Sequence, residues 1–194
     1  RLLLRGGEAK ASRKELKVIL QKNRMEPEAL HLLGKARAFC EEREKAVLAF
    51  RRSLLFEPCS AQVHANLAEI LFELGERSDS LAHGRLALLF NAGSQELRRN
   101  MAELYSKTGF PVAALKLLES VVAGKDRCVS KDAVRLGKYA YQAGKLVKAE
   151  AYFQQSLERD SDIWETFHHL GNVRVGLKSF GAAIDAYERA LEIF

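Results

Sequence analysis

The sequence predicts an all-α protein, an α-solenoid in which one helical hairpin stacks on the next, and three observations predict it. Leu33-Gly34, Leu67-Ala68, Met101-Ala102, Leu136-Gly137 and Leu170-Gly171 recur at steps of 34, 34, 35 and 34 residues, the self-similarity of a repeat architecture. A glycine series runs in phase with the first: Gly7, Gly75, Gly109 and Gly144 fall seven residues beyond the small member of such a pair, or beyond its place before residue 1. Ala46 and Phe50, Ala114 and Leu118, Ala149 and Phe153, and Ala183 and Tyr187 are each four apart, which puts both members on one helix face.

Each unit is therefore two helices of about 14 residues joined by a Gly-containing turn. Residues 1–26 read as the second half of a truncated unit, followed by units at 27–60, 61–94, 95–128, 130–163 and 164–194, which form a single array over 1–194. Pro27 opens a first helix where no amide donor is lost, and Pro58 closes a second one. The small residue of each pair lets the two helices approach, and the ring or large aliphatic residue after the Ala fills the gap that remains. One hairpin cannot bury its apolar stripe alone, so units must stack.

Two departures are expected to show. The second unit has Ser80 and Gly84 where an Ala and an aromatic belong, and a glycine inside a helix costs about 1 kcal/mol relative to alanine. It should be the loosest unit. Val129 is one extra residue beside Gly124, Lys125 and Asp126, so the superhelical twist is expected to change there.

Composition excludes several classes. With 47% apolar and 29% charged residues and only three prolines, the chain is neither disordered nor low in complexity. No apolar run approaches the roughly 20 residues of a membrane span. The net charge of +6 sits in residues 1–60, with 14 basic against 8 acidic side chains, and falls mainly on Arg5, Lys10, Arg13, Lys14, Lys17, Lys22 and Arg24. No aromatic residues interleave there to stack bases, so a solvated helix face accounts for it better than a nucleic-acid stripe. Cys40, Cys59 and Cys128 lack the spacing of a zinc site or disulfide framework; they favour a reducing compartment such as the cytoplasm. Residue 1 is an arginine and the repeat starts mid-unit, so the chain reads as trimmed.

Chemistry is hard to find. Gly171 to Ser179 imitates a phosphate loop, but Leu177 stands where the lysine is needed and the stretch reads as helix. His168-His169 and the isolated His31, His64 and His83 offer no metal-ligand spacing, and no nucleophile motif is present. No enzyme activity, metal or cofactor is expected.

Leu30, Leu33, Gly34, Ala46, Phe50 and Pro58 in one unit, and Phe167, Leu170, Gly171, Ala183, Tyr187 and Ala190 in the last, resemble the pattern of the tetratricopeptide repeat (TPR) family. The resemblance covers essentially the whole chain. It implies a right-handed superhelix whose first helices line a concave groove, and a non-catalytic scaffold or adaptor that binds an extended peptide or a helix of a partner protein. On that groove fall Asn66 and Asn100 at consecutive repeat positions, followed in register by Arg135 and His169. A carboxamide donates and accepts, so the two asparagines suit a peptide backbone. Glu69, Glu73, Glu96 and Glu103, interrupted by Arg99, make the second and third units acidic, while Lys131, Arg135 and Lys138 make the fourth basic and suited to an acidic segment. Phe72 and Tyr141 are candidate apolar anchors.

Asn100, Lys131 and Arg135 match three of five positions by which some family members grip acidic chaperone tails; Ala65 and Glu69 break the match. Two rival functions stay open: self-assembly through the terminal units, where Leu2–Leu4, Ile193 and Phe194 would be exposed, and nucleic-acid binding through the basic first third.

Overall fold

The computed structural model describes residues 15–16, 18–21, 23, 25–123, 130–160 and 163–194. Leu2–Leu4, Gly7, the basic positions from Arg5 to Lys14 with Lys17, Lys22 and Arg24, the expected twist change at Val129, and Cys128 lie outside them. The helices are α1 (Pro27–Phe39), α2 (Arg43–Phe56), α3 (Ala61–Glu73), α4 (Arg77–Phe90), α5 (Gln95–Lys107), α6 (Pro111–Val122), α7 (Ser130–Gln142), α8 (Leu146–Leu157), α9 (Trp164–Gly176) and α10 (Phe180–Ile193). No strand occurs among the described residues. The fold is all-α, as expected.

The chain divides into two compact units, residues 1–104 and 105–194. In the first, α1 pairs with α2 and α3 with α4, and α2 stacks on α3; in the second, α7 pairs with α8 and α9 with α10, with α6 on α7 and α8 on α9. The core of the first unit is continuous from α2 to α3 through Ala46, Val47, Phe50, Val63, Leu67, Ile70 and Leu71. Leu33, Leu67, Met101, Leu136 and Leu170, the large members of the repeat pairs, are all buried.

The hairpins close as the small-and-ring pattern requires. A Cβ placed on Gly34 would lie 2.4 Å from the Phe50 ring, one on Gly137 2.6 Å from Phe153, and one on Gly171 2.4 Å from Tyr187. Hydrogen bonds add to the joint. Arg37 and Arg174 hold the same repeat position, and each donates Nη1 at 3.0 Å to a carbonyl eight residues on, of Lys45 and Ala182. In the second hairpin the pattern departs where the sequence said it would. Ser80, fully buried, donates to the Ala68 carbonyl at 2.7 Å. Gly84 is buried with Met101 Sδ 3.3 Å from where its Cβ would stand, so α5 fills the space that a ring fills elsewhere.

Each first helix ends in a left-handed residue seven positions after the small one. Gly75 (φ 83°), Gly109 (92°) and Gly144 (72°) take it where glycine costs least, but Glu41 (58°) and Lys178 (62°) hold the same place. Around Lys178 the Ser179 amide bonds the Arg174 carbonyl at 2.9 Å, and around Glu41 the Glu42 amide bonds the Arg37 carbonyl at 3.0 Å, the six-to-one closure of a Schellman end. A side chain at positive φ costs about 1 to 2 kcal/mol, partly offset by the entropy glycine adds to the unfolded chain. Lys178→Gly and Glu41→Gly are each expected to stabilise by about 0.5 to 1 kcal/mol; a lower melting temperature for either variant would contradict this.

Candidate functional site

Two faces made by first helices gather some of the residues that the sequence singled out. In the first unit, α1 and α3 flank a pocket of about 130 Å³ lined by Lys35, Ala38, Phe39, Phe50, Asn66, Glu69 and Ile70. The stacking of α2 between α1 and α3 places the Phe50 ring at its base. Asn66 does not wait there for a ligand with both groups open. Its Nδ2 donates to His31 Nε2 at 2.7 Å, and its Oδ1 accepts from Gln62 at 3.3 Å. A donor on Nε2 requires His31 to be the neutral Nδ1–H tautomer. Consistently, burial, with the Lys35 charge adding, pushes the His31 pKa down to about 4. Lys35 and His31 are the functional candidates that the sequence reading missed. The repeat register could have found His31, which lies one position before the residue in register with Asn66.

Asn100 and Arg99 sit on α5, Asn100 exposed and Arg99 half-buried, and Phe72 near the end of α3 is half-buried. The pocket beside Asn66 includes none of these three.

In the second unit, Lys131, Arg135, Lys138 and Tyr141 step along α7 at intervals of four, three and three residues, which aligns them on one face. Lys131, Lys138 and Tyr141 are exposed, Arg135 is half-buried, and Arg135 reaches Asp132 at 4.0 Å. His169 on α9 joins this side: its ring stacks on Phe153 at 5.6 Å and an interplanar angle of 17°. Burial, then the charges of Lys138 and His168, push the His169 pKa down to about 4. The face is thus cationic through lysine and arginine and uncharged at the histidine.

Among the described residues no three His, Cys, Asp or Glu side chains gather in a way that would hold a metal ion. Cys40 and Cys59 are both free thiols. No helix among the described residues is long and apolar enough to cross a membrane.

The chain has the fold of helical-hairpin repeat proteins: it matches YrrB, a TPR protein with an unusual peptide-binding site, at 15% identity and a TM-score of 0.77, covering 92% of this chain and 91% of that one. It also matches the C-terminal part of a TPR repeat-containing protein from Cytophaga hutchinsonii (14%, TM-score 0.79, 96% and 74% covered) and MamA from Desulfovibrio magneticus RS-1 (16%, 0.76, 86% and 94%). At these identities the likeness is one of fold. No curated protein sequence matches. The tetratricopeptide repeat family model matches residues 165–194, the last hairpin. The last hairpin is thus similar to a tetratricopeptide repeat.

Proposed function

We propose that the chain is a non-catalytic interaction scaffold, one array over 1–194 whose first-helix faces hold an extended peptide or a helix of a partner protein. The observation that carries this reading is the row of Lys131, Arg135, Lys138 and Tyr141 along one side of α7. Cations flanking an exposed ring suit an acidic segment with an apolar side chain; charge steers the encounter and the ring supplies desolvated contact. In the first unit, the pocket between Lys35 and Glu69 offers an apolar floor of Phe39, Phe50 and Ile70, and Asn66 sits beside it. That YrrB is described as having an unusual peptide-binding site adds support for peptides as ligands of this fold.

Lys131→Glu combined with Lys138→Glu is expected to weaken capture of the physiological partner at least about tenfold, or roughly 1.4 kcal/mol, and to flatten its salt dependence. Both side chains are exposed, so the helical circular dichroism should not change. Unaltered affinity in a folded double variant removes the α7 face from the reading.

A second reading, self-association, rests on a different observation. Phe180, Ile184 and Leu191 are exposed along one side of α10 and Phe194 is exposed just past its end, whereas Ile193, expected to be exposed, is half-buried; Phe194 meets Trp164 edge-on at 5.2 Å. Light scattering over a concentration series decides it, since a mass that does not change with concentration excludes pairing through α10.

A further inference from the structure

Away from the α7 face, the second unit contains a groove of about 690 Å³ between the second helices α8 and α10, within the size range of ligand pockets. Its floor is apolar, with Phe167 and Leu170 from α9 between Leu157 and Ala186. Its walls carry Gln154 on α8, Glu158 just past the end of α8, Arg174 on α9, and Asp185 and Arg189 on α10; Arg174 is paired with Glu150 at 3.0 Å and Arg189 with Glu192 at 2.6 Å. The walls therefore present two exposed carboxylates, Glu158 and Asp185, over an apolar base.

The repeat register shows what the chain itself can put in such a place. The position fifteen residues after the small member of each pair is held by Ala49, His83, Leu117, Tyr152 and Ala186, a ring in two of the five hairpins. His83 lays its ring on His64, which is in register with Phe167, at 5.1 Å and 26°. The two Nδ1 atoms are 2.8 Å apart, and His64 Nε2 is 3.0 Å from the Pro58 carbonyl. Because that carbonyl only accepts, His64 donates from Nε2, and His83 Nδ1 donates to His64 Nδ1. Tyr152 likewise sends its hydroxyl across to Glu119 Oε1 at 2.9 Å, and Glu119 is in register with Gln154. Twice, then, the chain fills this place with its own planar ring: His83 lies over the floor residue His64 of its own hairpin, and Tyr152 reaches across to Glu119 on the preceding second helix. At Ala186 the ring is missing and the groove is open.

We propose that the α8–α10 groove binds a partner segment that inserts a tyrosine over Phe167, with its hydroxyl toward Gln154, and sets a neighbouring lysine or arginine against Glu158 and Asp185. The ring over Phe167 follows from His83 on His64, the hydroxyl contact from Tyr152 on Glu119, and the cation from the two carboxylates. This site lies on different helices from the α7 face, so the two readings stand or fall separately.

The test is a titration of the full chain, followed by amide chemical shifts, with the blocked peptide Gly-Ser-Lys-Tyr-Lys-Ser-Gly. Shifts are expected at Phe167, Leu170 and Ala186, and none from the same peptide with glycine in place of tyrosine. Ala186→Tyr supplies the ring that Tyr152 supplies elsewhere and should weaken binding at least about tenfold. Glu158→Lys with Asp185→Lys, at exposed positions, should do the same and decides the matter if the first variant fails to fold. Lys131→Glu with Lys138→Glu should leave this binding unchanged. No shifts at millimolar peptide, shifts that survive both groove variants, or equal affinity for N-acetyltyrosine amide would overturn the proposal, the last by showing a small-molecule pocket instead of a peptide site.

Discussion

Gly137→Ala is expected to destabilise the second unit by about 1 to 3 kcal/mol, although alanine is the better helix former by about 1 kcal/mol. Three atoms of the Phe153 ring lie between 2.6 and 2.8 Å from where the new Cβ would stand, and Phe153 is 1% exposed. The ring cannot yield freely, because His169 stacks on it. Either the hairpin opens or the ring leaves its rotamer. Phe153→Ala alone should cost about 3 to 5 kcal/mol, since it leaves a void in a packed core. The two changes are coupled, and the coupling has a sign. In a Phe153→Ala background the steric conflict is gone and only the helix preference remains, so Gly137→Ala should there become stabilising by about 1 kcal/mol. Urea unfolding of the four proteins of this cycle, followed by circular dichroism, measures it. If Gly137→Ala costs as much without the ring as with it, close approach is not the reason for the glycine.

Gly137 and Phe153 were legible in the sequence because the need they meet is local and repeats at a fixed interval. The same regularity gave the buried stripe from Leu33 to Leu170 and the turns at Gly75, Gly109 and Gly144. What it hid were places where different side chains meet one requirement. Glu41 and Lys178 take positive φ because the Schellman hydrogen bonds and the docking of the next helix fix the backbone there, and a search for glycines passes over them. The departure at Gly84 is met from a distance, by Met101 and Leu104 of α5. The basic row was visible: Lys131, Arg135 and Lys138 fall along α7 as helical spacing demands. Asn66 was read as an open carboxamide because its ties to His31, 35 residues back, and to Gln62 are made by side chains whose meeting depends on how one hairpin lies on the next. The α8–α10 groove left no trace in composition, for an alanine at position 186 looks like any other small helical residue until His83 and Tyr152 are set beside it.

Acidification is the second perturbation with a large expected effect. His31 and His169 have folded-state pKa values near 4, against about 6.5 in an unfolded chain. A depressed histidine pKa means that the unfolded chain binds the proton first, so stability is full above pH 6.5, falls as pH drops below it, and stops falling near pH 4. The causes are physical and separable. Burial is the larger one at both rings; Lys35 adds to it at His31, and Lys138 with His168 at His169. Protonating His31 also places a second proton where Asn66 Nδ2 now donates, so that hydrogen bond is lost. Both rings are partly solvated, which screens the effect, and a cost of about 1 to 2 kcal/mol per ring at pH 5 is expected after that allowance. His83, whose pKa is also lowered by burial and by His64 and Arg51, works in the same direction. Thermal melts between pH 7.5 and 4.5 should therefore show a falling midpoint, and His31→Gln with His169→Gln should flatten the fall. Glutamine keeps an amide beside Asn66 and has no proton to gain. A midpoint independent of pH, or an equal slope in the double variant, would place the acid sensitivity elsewhere in the chain.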